Sequence, residues 1–181
     1  MKKLPLVLAI SVFVSACGGW SVGLYSVSND NVAALRSFNG KTVNLGAFTT
    51  TEAERGQIDC RGAGPITTQD RETFAEFIRK AMLDELRLAG VYSSTAPVTI
   101  AGNLDVINFS SNDGYWELRL TIRTSTGRTM TVSEPYEYEY SAGSDSDYAM
   151  CRQTSRAFVP AVQNLIGKIV RSPDFASLMS Q

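Results

Sequence analysis

Trp116-Glu117-Leu118-Arg119-Leu120-Thr121-Ile122-Arg123 alternates apolar and polar side chains without a break. Successive side chains of a strand point to opposite faces. This stretch is therefore read as a strand with Trp116, Leu118, Leu120 and Ile122 toward a core and Glu117, Arg119, Thr121 and Arg123 toward water. A single wet face is the habit of an antiparallel sheet covered on its other side. Upstream, Ser110-Ser111-Asn112-Asp113-Gly114 is a turn, and Asp113-Gly114 suits a hairpin because both residues tolerate positive φ. Before it, a run opened by Pro97 sets Val98, Ile100, Leu104 and Val106 on one face, with Gly102 marking either a bulge or a close approach. Downstream, Ser125-Thr126-Gly127-Arg128 turns the chain again, and Met130, Val132, Tyr136, Tyr138 and Tyr140 carry the alternation past Pro135. Pro135 has no N–H for a ladder and belongs at an edge or a bulge.

Two helices flank this hairpin array. Phe74, Phe77, Ile78, Ala81, Met82, Leu86 and Ala89 recur at helical spacing, with Thr68 or Asp70 available as a cap and Arg71, Glu72, Glu76, Lys80 and Asp84 on the opposite face. Gly90 can close that helix in the left-handed conformation, with Val91 as the following apolar residue. The Phe and Met stripe has the composition of a ligand box as well as of a core face, and core packing is the simpler reading. A second stripe, Phe158, Val159, Val162, Leu165, Ile166, Ile169 and Val170, predicts a helix to about Arg171 that Pro160 should kink or restart. Asp174 is the expected cap of a last short turn carrying Phe175, Leu178 and Met179. Val43, Leu45 and Ala47 share a face within Lys41–Thr49 and predict a first strand, while Thr50–Thr68, with Gly62, Gly64 and Pro65, reads as a loop. The order strand, helix, three strands, helix predicts an α+β two-layer sandwich: a mainly antiparallel sheet of about four strands with two helices on one face.

The N-terminus has a different grammar. Lys2 and Lys3 precede a short apolar run, Leu4–Ala16, which ends in small residues before Cys17. That is the layout of a secretory signal, and the run is well short of the roughly 20 residues that a spanning helix needs. Val14-Ser15-Ala16-Cys17 resembles the bacterial lipobox. The resemblance implies cleavage before Cys17, a diacylglycerol thioether on its sulfur and acylation of its new amine, so that several chains anchor what one chain holds only marginally. Gly18 rather than Asp after the cysteine implies, by the same resemblance, the outer membrane with the protein on its periplasmic face. The expected organisation is residues 1–16 as signal, 17–40 as a lipidated tether and 41–181 as one α+β domain. Gly18–Gly40 shows no clear period, and Trp20 suits either the bilayer surface or contact with the domain.

Composition narrows the chemistry. Without Lys2 and Lys3 the mature chain carries 15 basic and 18 acidic side chains, which is neither a nucleic-acid footprint nor a polybasic lipid patch. The 181 residues contain no histidine. That excludes Ser-His-Asp and Cys-His nucleophiles and imidazole metal sites, and no enzyme, cofactor or metal is expected. Lys41, Lys80 and Lys168 show no spacing to a serine motif and read as surface charge. Cys60 and Cys151 most simply form one disulfide in an oxidising compartment, the alternative being two free thiols. Closing a loop of about 90 residues stabilises by roughly 4 kcal/mol in the chain-entropy account. Asp145 and Asp147 are spaced like the start of a calcium loop but lack its Gly and Glu, and helix capping is the better reading.

Tyr136, Tyr138 and Tyr140 share one strand face. They form either a flat amphipathic interaction surface or a lid on the helix layer with hydroxyls at its rim. The whole arrangement, with its lipobox, its helix ending at Leu86–Gly90, a strand pair, a turn at Gly127 and a last helix carrying Ala161-Val162-Gln163-Asn164-Leu165, resembles the YajG-like and ABC-transport auxiliary lipoproteins of Gram-negative envelopes. The resemblance implies a non-enzymatic accessory role through contact with an envelope protein or a transport or assembly complex, with no catalytic residues. The alternative is a lipid-anchored binding or inhibitor domain for a soluble ligand or a foreign hydrolase.

Overall fold

The computed structural model describes residues 19–38, 40–51, 56–140 and 146–179. Cys17, the signal-like segment and Asp145 lie outside the described residues. The larger sheet contains β2 (Asn44–Thr50), β5 (Thr99–Ser110), β6 (Tyr115–Thr124) and β7 (Thr129–Glu137), in the order β2-β5-β6-β7. β5, β6 and β7 are antiparallel neighbours, and β2 runs parallel to β5. A parallel pair needs a crossover, which α2 (Phe74–Ala89) supplies. α3 (Asp147–Arg171) and α2 lie against the sheet, and α1 (Asn29–Arg36) lies against both. The fold is α+β with a mostly antiparallel sheet, as the alternation predicts.

Trp116, Leu118, Leu120 and Ile122 are fully buried on the helix side of β6. Trp116 sits among Phe109, Phe158 and Phe74 at ring distances of 4.8, 4.9 and 6.3 Å, and its indole N–H donates to the Thr154 carbonyl at 2.8 Å. Burying each such side chain stabilises by about 1.5–3 kcal/mol. On either side of β6 the strict alternation slips. A register shift between Leu45 and Phe48 puts Phe48 rather than Ala47 in the core, and one between Leu104 and Val106 brings in Ile107 instead of Val106. Gly102 marks the close approach: a Cβ there would fall 2.9 Å from the Phe48 ring.

Helix ends follow local chemistry. α2 begins one turn later than Thr68 or Asp70 would place it, because the Thr73 hydroxyl accepts from the Glu76 N–H at 3.1 Å. Thr68 instead donates to the Glu72 carbonyl at 2.8 Å. Gly90, at φ 77°, ends α2 as expected, and the Val91 N–H donates to the Leu86 carbonyl. α3 is one 25-residue helix that continues through Pro160 instead of restarting there. Phe158, Ala161, Val162, Leu165 and Ile166 are fully buried on both sides of the proline, and that packing offsets the lost ladder bond. Ser146 caps α3, and Ser172, not Asp174, caps α4 (Pro173–Leu178).

The segment expected to be a tether is part of the domain from Trp20 onward. β1 (Trp20–Ser21) pairs in parallel with β4 (Pro65–Thr67), and β4 pairs with β3 (Gln57–Asp59), so the expected loop contributes two strands of a small second sheet. Trp20, Val22, Val32 and Leu35 are buried. Cys60, next after β3, is joined to Cys151 of α3 in a disulfide with Cα atoms 5.9 Å apart.

Candidate functional site

Among the described residues, helices cover one face of the larger sheet, and its other face carries the polar half of the β6 alternation. Glu117, Arg119 and Arg123 are exposed there. Hydrogen bonds link polar side chains from all four strands. Thr49 of β2 donates to Asn103 Oδ1 at 3.0 Å, and Asn103 Nδ2 donates to Asp105 Oδ1 at 2.7 Å. Thr121 of β6 donates to Asp105 Oδ2 at 2.6 Å and lies 2.8 Å from the hydroxyl of Thr131 on β7. Beside this row a groove of about 500 Å³ is floored by Ala47, Ala101 and Gly102 and flanked by Asn103, Asp105 and Arg123. Small side chains in the floor and ordered polar groups at the rim are what a docked segment needs: room for its side chains and partners for its backbone.

The two outer strands differ. β7 carries exposed Pro135, which cannot donate, and Lys168 of α3 donates to the Ser133 carbonyl at 3.2 Å and pairs with Glu134 at 2.6 Å. β2 has no strand paired along its outer side among the described residues, which leaves a line of backbone groups next to the groove.

Tyr136, Tyr138 and Tyr140 lie on the helix side of the sheet, half-buried. Tyr136 is opposite Trp116 in the register, the Tyr138 hydroxyl is 2.7 Å from that of Thr154, and the Tyr140 hydroxyl donates to the Ser111 carbonyl. Burial pushes the Tyr138 phenol well above its ordinary value. The row closes the end of the helix layer, and the open face lies on the other side.

A second polar cluster is internal. Glu85 is fully buried on α2, where its Oε1 accepts from the Tyr25 hydroxyl, from the Ser28 N–H at 3.2 Å and from Asn31 Nδ2 at 3.2 Å. Asn31 also donates to the Gln163 carbonyl at 2.9 Å and accepts from Arg171 at 3.0 Å. Burial raises the Glu85 carboxyl above its ordinary range, opposed by these hydrogen bonds and by Arg171. The Tyr25 phenol is raised too, by burial first and then by Glu85. This cluster straps residues 25–31 to α2 and α3.

Asn103, Asp105 and Glu85 carry no motif that marks them in the sequence. Asn103 and Asp105 alternate with Leu104 on the wet face of their strand. Glu85 occupies a stripe position, four after Ala81 and three after Met82, where an acid needs a buried partner.

No family model matches the chain, and no curated protein matches it. Among solved structures it is similar to the crystal structure of protein XCC0632 from Xanthomonas campestris, family model DUF330. The two are 9% identical, the match covers 76% of this chain and 88% of that one, and the TM-score is 0.46. The likeness is distant and assigns no function. Among the described residues no helix is long and apolar enough to cross a membrane.

Proposed function

We propose that this chain is a non-enzymatic accessory lipoprotein of a bacterial envelope, anchored through Cys17 to the periplasmic face of the outer membrane, and that it holds a protein partner on the open face of its larger sheet. The observation behind this reading is the one-sided covering of that sheet among the described residues, with a groove beside the outer edge of β2, on which no described strand is paired. An extended partner segment added to β2 would gain backbone hydrogen bonds and set alternate side chains into the groove. The Cys60–Cys151 disulfide fits an oxidising compartment outside the cytoplasm.

A photoreactive amino acid at Thr49 of the acylated protein in intact cells tests the face. The expected result is one discrete adduct with an envelope protein, abolished by Ala101→Arg, whose side chain fills the groove floor. The same probe at Tyr138 should give no such adduct. An adduct that forms equally well with a soluble Cys17→Ser form would turn the reading toward a binding or inhibitor domain. Adducts from Tyr138 but not from Thr49 would move the contact to the other side of the sheet.

A further inference from the structure

This inference rests on the proposed acylation of Cys17 and concerns which end of the domain meets the membrane. The structure leaves almost no slack for an anchor. Trp20 is only 8% exposed and is paired with Ile66 of β4, and a Cβ on Gly19 would lie 3.1 Å from the Pro65 carbonyl oxygen. Trp20 is three residue steps from Cys17, and at no more than about 3.6 Å each these reach roughly 11 Å even when fully extended.

The direction of that reach is set by α3. Trp20 packs edge-on against Tyr148 in the first turn of α3 at 4.3 Å, Gly23 lies beside Val159, and Gln163 donates to the Ser26 carbonyl at 2.6 Å. The strap thus runs along α3 from its N-terminus toward its middle, and traced backward it leaves the domain at the Tyr148 end. Beyond Trp20 the strap cannot swing, because Tyr25, Ser28 and Asn31 are fastened to Glu85. Tyr148 is 61% exposed, with the Arg152 guanidinium 5.8 Å over its ring. Arg61 bonds both Asp147 and Asn112, which brings the loop after β3 and the β5–β6 turn to the same pole. At the other pole Arg128 of the β6–β7 turn bonds the Ser177 carbonyl of α4. A 25-residue helix separates the poles by about 37 Å.

We propose that the domain stands end-on upon the bilayer, with the pole around Tyr148 and Arg152 in the headgroup layer and the β6–β7 turn and α4 pointing away. A phenol with one apolar side and one wet edge suits that layer, and the arginine beside it meets lipid phosphates. Trp20, the aromatic residue nearest Cys17, is inside the domain, and Tyr148 is the ring that faces outward. Strands β5, β6 and β7 then run from pole to pole, so the open face of the sheet stands upright and a partner reaches it from the side.

The test uses the purified acylated protein in vesicles of phosphatidylethanolamine and phosphatidylglycerol that carry a headgroup-photoactivatable lipid, with adducts mapped by mass spectrometry. Adducts should be several-fold enriched at residues 61–63, 110–114 and 147–152 over residues 125–128 and 173–178. A Gly-Ser linker of about 30 residues between Gly18 and Gly19, with a root-mean-square reach of roughly 30 Å, should remove that enrichment while the lipid stays on Cys17. Labelling spread evenly over both poles of an acylated protein, or enrichment that survives the linker, overturns the end-on placement alone. An intact mass without lipid at Cys17 overturns the anchoring reading and this placement with it.

Discussion

The two sheets of this domain are held together by different physics. Three strands of the four-stranded sheet are long neighbours in sequence joined by two tight hairpins, and β6 turns Trp116, Leu118, Leu120 and Ile122 to the helix side. The three-stranded sheet consists of strands of two or three residues, a short β3–β4 hairpin joined by the distant β1. Strands that short have no independent stability. They are fixed by burial of Trp20 and Ile66, by the Cys60–Cys151 bond to α3 and by the strap at Glu85. One sheet is made by its own residues, and the other is made by what it is fastened to.

The most damaging change to that contrast is in the larger sheet. Trp116→Ala should cost about 3–5 kcal/mol, because it removes the centre of the aromatic cluster and leaves the Thr154 carbonyl without its donor. Urea unfolding measures it, and a loss below about 2 kcal/mol would mean that the cluster repacks and that Trp116 is not its centre. Replacing both Cys60 and Cys151 by Ser should cost less, about 2–4 kcal/mol. Its signature is regional: amide exchange should accelerate in β1, β3 and β4 well before β5 and β6 respond. Uniform acceleration would show that the two sheets unfold as one unit and would erase the distinction.

What was legible in the sequence follows the same division. The β6 alternation and the α2 stripe each repeat over enough residues to show a period, and both elements form where that period places them. β1 is two residues long and α1 buries only Val32 and Leu35 among its apolar residues, so residues 20–36 show no period and read as a tether. The slips at Phe48 and Ile107 were hidden for another reason. A bulge changes which parity faces the core, and alternation assumes a parity that never changes. The start of α2 did carry a signal, since Thr73-Phe74-Ala75-Glu76 has the spacing of a capping box. As for the candidate site, the polar positions of β6 were visible as a wet face. That no described helix covers this face could not be read, because it depends on the described helices all packing on the other side of the sheet.

The smallest expected effect concerns Glu85 and the strap that carries β1. The folded-state carboxyl is raised above its ordinary value of 4.5, because burial outweighs the hydrogen bonds from Tyr25, Ser28 and Asn31 and the attraction of Arg171. A carboxyl raised on folding keeps its proton where the unfolded chain has lost it. Its contribution to stability is therefore full below about pH 4.5 and is lost as pH rises through the folded-state value. Glu85→Gln keeps an acceptor for the same three donors and removes the titration. The variant should match the native protein within about 1 kcal/mol under acidic conditions and gain on it as pH rises, giving a flatter profile in thermal unfolding. Amide exchange separates this from a general effect. Protection in β1 and at Ser28 should lose its pH dependence in Glu85→Gln, once the intrinsic exchange rate is divided out, while β6 amides behave as in the native chain. Parallel changes in β6 would mean that Glu85 supports the whole core, and that the smaller sheet has no separate fastening of its own.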